Sequence, residues 1–235
     1  MTDTDVDELA ALLQDFALAT ERGAPQAMAA LMCADEAERF LDNVADPDAE
    51  GIDNPVNTPI ELLGVGVFGD RAWIRFTRPY FHKPDVVTCR KESGRWTMCE
   101  DVGEELSLDQ FEGDPQTTPD PVDEDRQHIL SLRRRPVGQL TATDLKVLLS
   151  HGEGLTYLVP RVANTLHWEP LTSDGQPGEL LLAVLGIDEQ YWATDQISLV
   201  YVRSAAEKVD AMVDAVPDAV QRHAAAFLKT HPRLQ

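Results

Sequence analysis

The chain has 235 residues, with 41 Asp and Glu against 20 Lys and Arg, for a formal net charge of −21. This length holds one large or two small domains with a real core. The charge opposes binding to nucleic acid or to an anionic membrane, and it favours a basic partner or simple solvation. An acidic start at Asp3, Asp5 and Asp7 is the reverse of a secretory signal, no apolar run reaches a membrane span, and three cysteines make no disulfide framework, so free thiols in a reducing cytoplasm are expected.

Val6, Leu9, Leu13 and Phe16 predict an amphipathic first helix ending near Arg22-Gly23. Pro25 suits the first turn of a second helix with Met28, Leu31 and Met32 inward. Phe40 and Leu41 close a third short piece before a polar loop over 46–58. The texture then turns β-like. Ile60 to Phe68 and Ala72 to Thr77 flank a Gly69-Asp70 turn, and Val86–Lys91 and Arg95–Cys99 form a hairpin around Ser93-Gly94. A two-residue loop sets Cys89 opposite Met98 and Cys99 opposite Thr88, so these two thiols face opposite sides of the sheet. Helices followed by an antiparallel meander predict an α+β unit with the sheet packed on the helices.

The stretches from Val65 to Phe76 and from Cys89 to Glu100 resemble the closing strands of the NTF2-like (cystatin-like) fold. The resemblance implies a curled sheet wrapping a long helix around a conical cavity. Such cavities host isomerases and dehydratases that work with an Asp or His base and a Tyr or Asp acid. Tyr80, His82 and Asp85, between two predicted strands, are the candidates for that alternative function, while a plain polar loop framed by Pro79 and Pro84 is the simpler reading.

From Trp96 to Asp125 there are eleven acidic residues and no Lys or Arg, with Pro115, Pro119 and Pro121 among them. Too little apolar surface is present for this stretch to fold alone, so 104–127 is expected to be an extended acidic linker between a domain at 1–103 and another at 128–235. An acidic arm that mimics nucleic-acid phosphate for a basic protein partner is the functional alternative. Arg133-Arg134-Arg135 follows, either as a solvated helix end or as a latch for the acidic arm.

Thr141 and Asp144 read as a capping box, with Leu140 and Leu145 placed for a hydrophobic staple. Leu145, Leu148 and Leu149 share a face, and Gly152 ends the helix in a left-handed turn. Leu155, Leu158, Val159, Val162 and Leu166 continue at helical spacing across Pro160, which marks a kink or a fresh start. Leu180, Leu181, Val184 and Leu185 make a third short helix stopped by Gly186. Beyond Trp192, the run Ile197, Leu199, Tyr201 fits strand or helix. Val209, Met212, Val213 and Val216 read as helical, and Pro217 opens a last helix with Val220, His223, Ala224 and Phe227 on one side.

The order of these pieces from Pro136 to about residue 195 (the capped "LTATDLKVLLS", "LTYLVP", "WEPL", "PGELLLAVL" and the Tyr191-Trp192 pair) resembles the immunity proteins of contact-dependent growth inhibition (CDI) systems. The resemblance implies a mostly helical cytoplasmic domain that neutralises a toxin by binding it. The matching residues are structural and locate no surface, and Arg161 and the polar loop 172–176 depart from the pattern. Trp168, Tyr191 and Trp192 are large enough to anchor an interface but fill cores more often. Around them Glu169, Asp174, Glu179, Asp188 and Glu189 place negative charge along one edge. With Trp192, these acids form the candidate contact for a basic toxin domain, such as a nuclease presenting its substrate cleft.

The sequence carries no Gly-rich phosphate loop, nucleophile elbow, HExxH or CxxC pair. His82, His128, His151, His167, His223 and His231 form no i,i+4 pair and have no partner at ligand spacing. A binding protein is therefore expected, with no catalytic residues, cofactor or metal.

Overall fold

The computed structural model describes residues 3–45, 60–78, 83–113, 124–212 and 216–232. The chain divides into two compact units, Met1–Leu106 and Ser107–Gln235.

In the first unit α1 (Asp3–Glu21), α2 (Pro25–Ala29) and α3 (Ala34–Ala45) precede strands β1 (Glu61–Phe68), β2 (Arg71–Thr77), β3 (Asp85–Glu92) and β4 (Arg95–Met98), and α4 (Val102–Glu105) closes it. The sheet is an antiparallel meander in the order β1-β2-β3-β4. Period-two alternation turns Ala72, Ile74 and Phe76 inward, where they meet Leu9, Leu12 and Leu13 of α1 together with Cys89, Trp96 and Met98. Asp5 fixes α1 at the β3–β4 end: its carboxylate accepts from Lys91 at 2.7 Å and from Trp96 Nε1 at 3.2 Å. Trp73 is buried on the other face, because its partner in the ladder is Gly66, where any Cβ would collide with the indole.

The β3–β4 hairpin has the expected register, with Cys89 opposite Met98 and the Cys99 N–H donating to the Thr88 carbonyl. Ser93 and Gly94 both take positive φ (50° and 82°), as a type I′ turn demands. Free thiols were expected throughout, and here the structure differs. Met98 N–H donates to Leu31 O and Cys33 N–H to Met98 O, both at 2.8 Å, which lays residues 31–33 alongside β4. Cys33 and Cys99 are thereby joined as a disulfide with their Cα atoms 5.5 Å apart, and only Cys89 remains a thiol. The pairing links segments 66 residues apart, which no local pattern exposes.

The second unit is helical: α5 (Leu108–Glu112), α6 (Glu124–Arg133), a 3₁₀ turn (Val137–Gln139), α7 (Ala142–Ser150), α8 (Leu155–Trp168), α9 (Glu179–Leu185), α10 (Glu189–Thr194), α11 (Gln196–Asp210) and α12 (Asp218–Thr230). Part of the stretch expected to be extended is therefore folded. Glu104 and Glu105 lie in α4, while Ser107 and Gln110 build a capping box that starts α5, burying Leu108 and Phe111. The acidic residues masked the apolar spacing of Leu106, Leu108 and Phe111. At its other end residues 124–127 open α6, and 114–123 lie outside the described residues.

The capping box of α7 is complete: Asp144 N–H donates to Thr141 Oγ1 at 3.2 Å and Thr141 N–H to Asp144 Oδ2 at 3.0 Å. Leu140 and Leu145 are both buried at the staple positions. The helix ends in a Schellman turn, with Gly152 at φ 71° and the Glu153 N–H donating to the Leu148 carbonyl at 3.0 Å. Gly154, also left-handed, packs so closely that a Cβ would sit 2.6 Å from Leu108. Pro160 lies inside the single helix α8 rather than opening a new one. The segment from Ile197 is helical, and α11 stops at Asp210, so Met212 and Val216 fall outside the helix expected for them, while 213–215 lie outside the described residues.

Candidate functional site

Arg133 stands at the centre of the second unit. It ends α6 with 1% of its side chain exposed. Its Nε donates to Asp109 at 3.0 Å, Nη1 to Glu153 at 2.6 Å and Nη2 to Glu112. Desolvation alone would pull the guanidinium pKa down, but its hydrogen bonds to Glu112 and Glu153 and their negative charges outweigh it and the pKa is raised. Of the two readings of this run, Arg133 takes the latch: Asp109 and Glu112 belong to the acidic stretch, and the guanidinium is a buried tie between α5, α6 and the α7–α8 turn. Arg134 and Arg135 are more exposed, reaching Asp109 at 3.7 Å and Asp144 at 2.6 Å. This arrangement is structural: a cation with three carboxylates around it has no capacity left for a ligand.

The acids expected along one edge are distributed over several. Asp174 accepts from the Thr143 N–H at 3.2 Å and Glu179 pairs with Lys146 at 3.0 Å, so both serve α7. Asp188 caps α10 by accepting from the Gln190 N–H, and exposed Glu189 follows it. Tyr191 ties α10 to the first turn of α8 through the Leu155 carbonyl at 3.1 Å, whereas Glu169 is the C-cap of α8, about 20 Å away along a 14-residue helix. Trp192 is 1% exposed and packs edge-on against Phe227 at 5.9 Å between ring centres, so it is a core residue with no face for a partner. The Tyr191 hydroxyl donates to Asp195 at 2.8 Å, and burial with the Asp195 charge holds the phenol well above its usual range. Asp195 in turn caps α11 at the Ser198 N–H.

Trp168 behaves in the opposite way and is 72% exposed, with Lys208 approaching its ring and His167 meeting it edge-on at 4.9 Å between ring centres. Lys208 also donates to the His167 carbonyl, which joins the end of α8 to α11. Ile197 and Val200 on α11 are likewise exposed. No periodicity argument separates Trp168 from Trp192, since both close short helical runs; only the packing of α12 does.

In the first unit a hollow of about 210 Å³ is lined by Phe16, Val87, Met98 and Glu36. Burial pushes the Glu36 carboxyl up, against the N–H of Glu100 donating to it at 2.7 Å. Burial also pushes the Cys89 thiol up to about 12, leaving it inert. Of the candidate acid–base group, Asp85 accepts from the Val86 N–H, while Tyr80 and His82 lie outside the described residues. Among the described residues Cys33, Cys99 and Asp101 bring ligand atoms within 4.8 Å of one another, but as a disulfide the sulfurs offer no thiolate to a metal. No described helix is long and apolar enough to cross a membrane.

Residues 115–200 match the family model of the CDI immunity proteins. The similarity expected from Pro136 onward is therefore present and begins earlier. It takes in α6 with Arg133, the capped start of α7, and α8 to the first turns of α11. No curated protein and no solved structure matches the chain.

Proposed function

We propose that this protein is an immunity protein that binds and neutralises the toxin domain of a CDI system through its second unit. The carrying observation is the family match over 115–200, which falls on the helical unit. Caps, a Schellman turn and the caged Arg133 support a rigid body, and a rigid body is what shape-specific inhibition needs. A net charge of −21 favours a basic toxin, such as a nuclease whose cleft binds phosphate, and accelerates capture. Glu169, Asp188 and Glu189 are exposed and available for that attraction. The protein acts by stoichiometric binding in the cytoplasm, without turnover or cofactor.

The first unit reads as NTF2-like. One long helix packed on a four-stranded meander supports that reading, and its small hollow is the remaining basis for ligand binding. The test is co-expression of the full chain with the variable C-terminal domain of the large secreted protein encoded beside it. Restored growth is expected; absence of such a neighbour, or continued killing at equal expression, contradicts the proposal.

A further inference from the structure

Among the described residues, helix α11 is buried along one face. Ser198, Val202, Ala205, Ala206 and Val209 are buried, and all lie on one face at the spacing of a helix. The opposite face carries Ile197, Val200 and Ser204. Among the described residues of the second unit, the large apolar side chains most open to solvent are Trp168, Ile197 and Val200, at 72%, 67% and 63%. Two of them lie on this open face of α11, and the third is tied to its far end through Lys208. Single exposed apolar residues are ordinary, whereas a strip of them marks an interaction surface.

Beside the strip runs a groove of about 570 Å³ between α11 and the end of α12, floored by Leu199, Val200 and Ser204. Its charged residues are satisfied within the unit: Arg203 donates to Glu207 at 3.0 Å and to the His231 carbonyl at 2.9 Å. Lys208 lies over the Trp168 ring and exposed Lys229 closes α12 beside the groove, while exposed acids stand toward both ends. Asp188 and Glu189 precede the Ile197 end, while Glu169 follows Trp168 and Asp210 closes α11. Apolar side chains with acid at either end are complementary to a cationic protein surface that projects an apolar side chain.

We infer that the open face of α11, with Trp168, is the surface on which the toxin domain docks, and that the toxin presents an apolar anchor between basic residues. This rests on the proposed function and assigns its contact surface. A second copy of this chain is a poor occupant, because a two-fold contact would set each acid-flanked face against its own copy at −21 per chain.

The experiment uses the full chain with Val200→Arg, Trp168→Ala and, as a control on α12, Arg222→Ala. Each is titrated against the neighbouring toxin domain, with thermal melts as a folding check. The expected result is at least a tenfold rise in Kd for both face variants, near-native binding by the control, and weaker wild-type binding as salt increases. Trp168→Ala only truncates a solvent-exposed ring, so it keeps the inference testable should Val200→Arg misfold. If wild type binds and both face variants bind within twofold of it, the inference fails while the immunity reading stands. A concentration-dependent dimer abolished by Val200→Arg would make this a self-interface and overturn the inference. If wild type itself neither binds nor protects, both readings fall together.

Discussion

Arg133 in the second unit and the pair Arg71 and Arg90 in the first each hold carboxylates, but in different surroundings. Arg71 and Arg90 converge on Glu105 with 38%, 22% and 36% of their side chains exposed, so water screens the cluster. Arg133 is 1% exposed and its partner Asp109 only 9%. Surface pairs of the first kind contribute little, whereas removing one member of a buried set strands the rest without solvent. The second unit is therefore brittle at one residue where the first is forgiving. For a domain that must present one fixed shape to a partner, this placement is consistent with use of that rigidity.

The sharpest way to break this comparison is Arg133→Met. It removes the buried partner of both acids, leaving Asp109 only Arg134 at 3.7 Å and Glu153 only Arg126 at 2.5 Å, and is expected to destabilise the second unit by about 3 kcal/mol in urea unfolding. A loss below about 1 kcal/mol would place the cage in solvent. The first unit has its own non-local tie. Reducing Cys33–Cys99, or replacing both by Ser, is expected to cost that unit about 2 to 4 kcal/mol and leave the other transition unmoved. A shift of both transitions would show that the units do not unfold independently.

Glycines sharpen the contrast on a smaller scale. Gly69 and Gly154 are both left-handed, but a Cβ at Gly69 meets open space while one at Gly154 meets Leu108. Gly69→Ala is expected to cost about 1 to 2 kcal/mol from the backbone alone, and Gly154→Ala more. Equal costs by thermal melting would mean that Leu108 yields freely.

Glu105 carries the smallest effect. The hydrogen bonds from Arg90 and then Arg71 hold its carboxyl below the usual value of 4.5. A depressed folded pKa gives stability that is present above the unfolded value and is lost as pH falls through the folded one. Glu105→Gln is therefore expected to cost about 1 kcal/mol or less at pH 7 and to flatten the loss of stability below about pH 4.5. An unchanged acid limb would remove Glu105 from the account.

What was legible in the sequence was local. The Thr141–Asp144 box, the Gly152 stop and the Ser93-Gly94 register each depend on residues within a few positions, and each stands where the pattern put it. What was hidden depended on distant partners. The sequence left Arg133 open between a solvated end and a latch because its cage comes from α5 and the α7–α8 turn, and Cys33 meets Cys99 only because residues 31–33 lie along β4. Leu108 and Phe111 were obscured by their acidic neighbours. Trp168 and Trp192 were alike in the sequence, both read as core more often than contact, and packing separates them: Trp192 is buried against Phe227 of α12 while Trp168 is 72% exposed.

The central claim is that the protein disarms a toxin by holding it. Titrating the full chain into the purified neighbouring toxin domain, while following the toxin's own activity, tests this most directly. The account requires activity to fall linearly and vanish near one chain per toxin. Complete inactivation at a small fraction of that ratio would reveal turnover, and undiminished activity at excess would show that the chain does not act on this toxin.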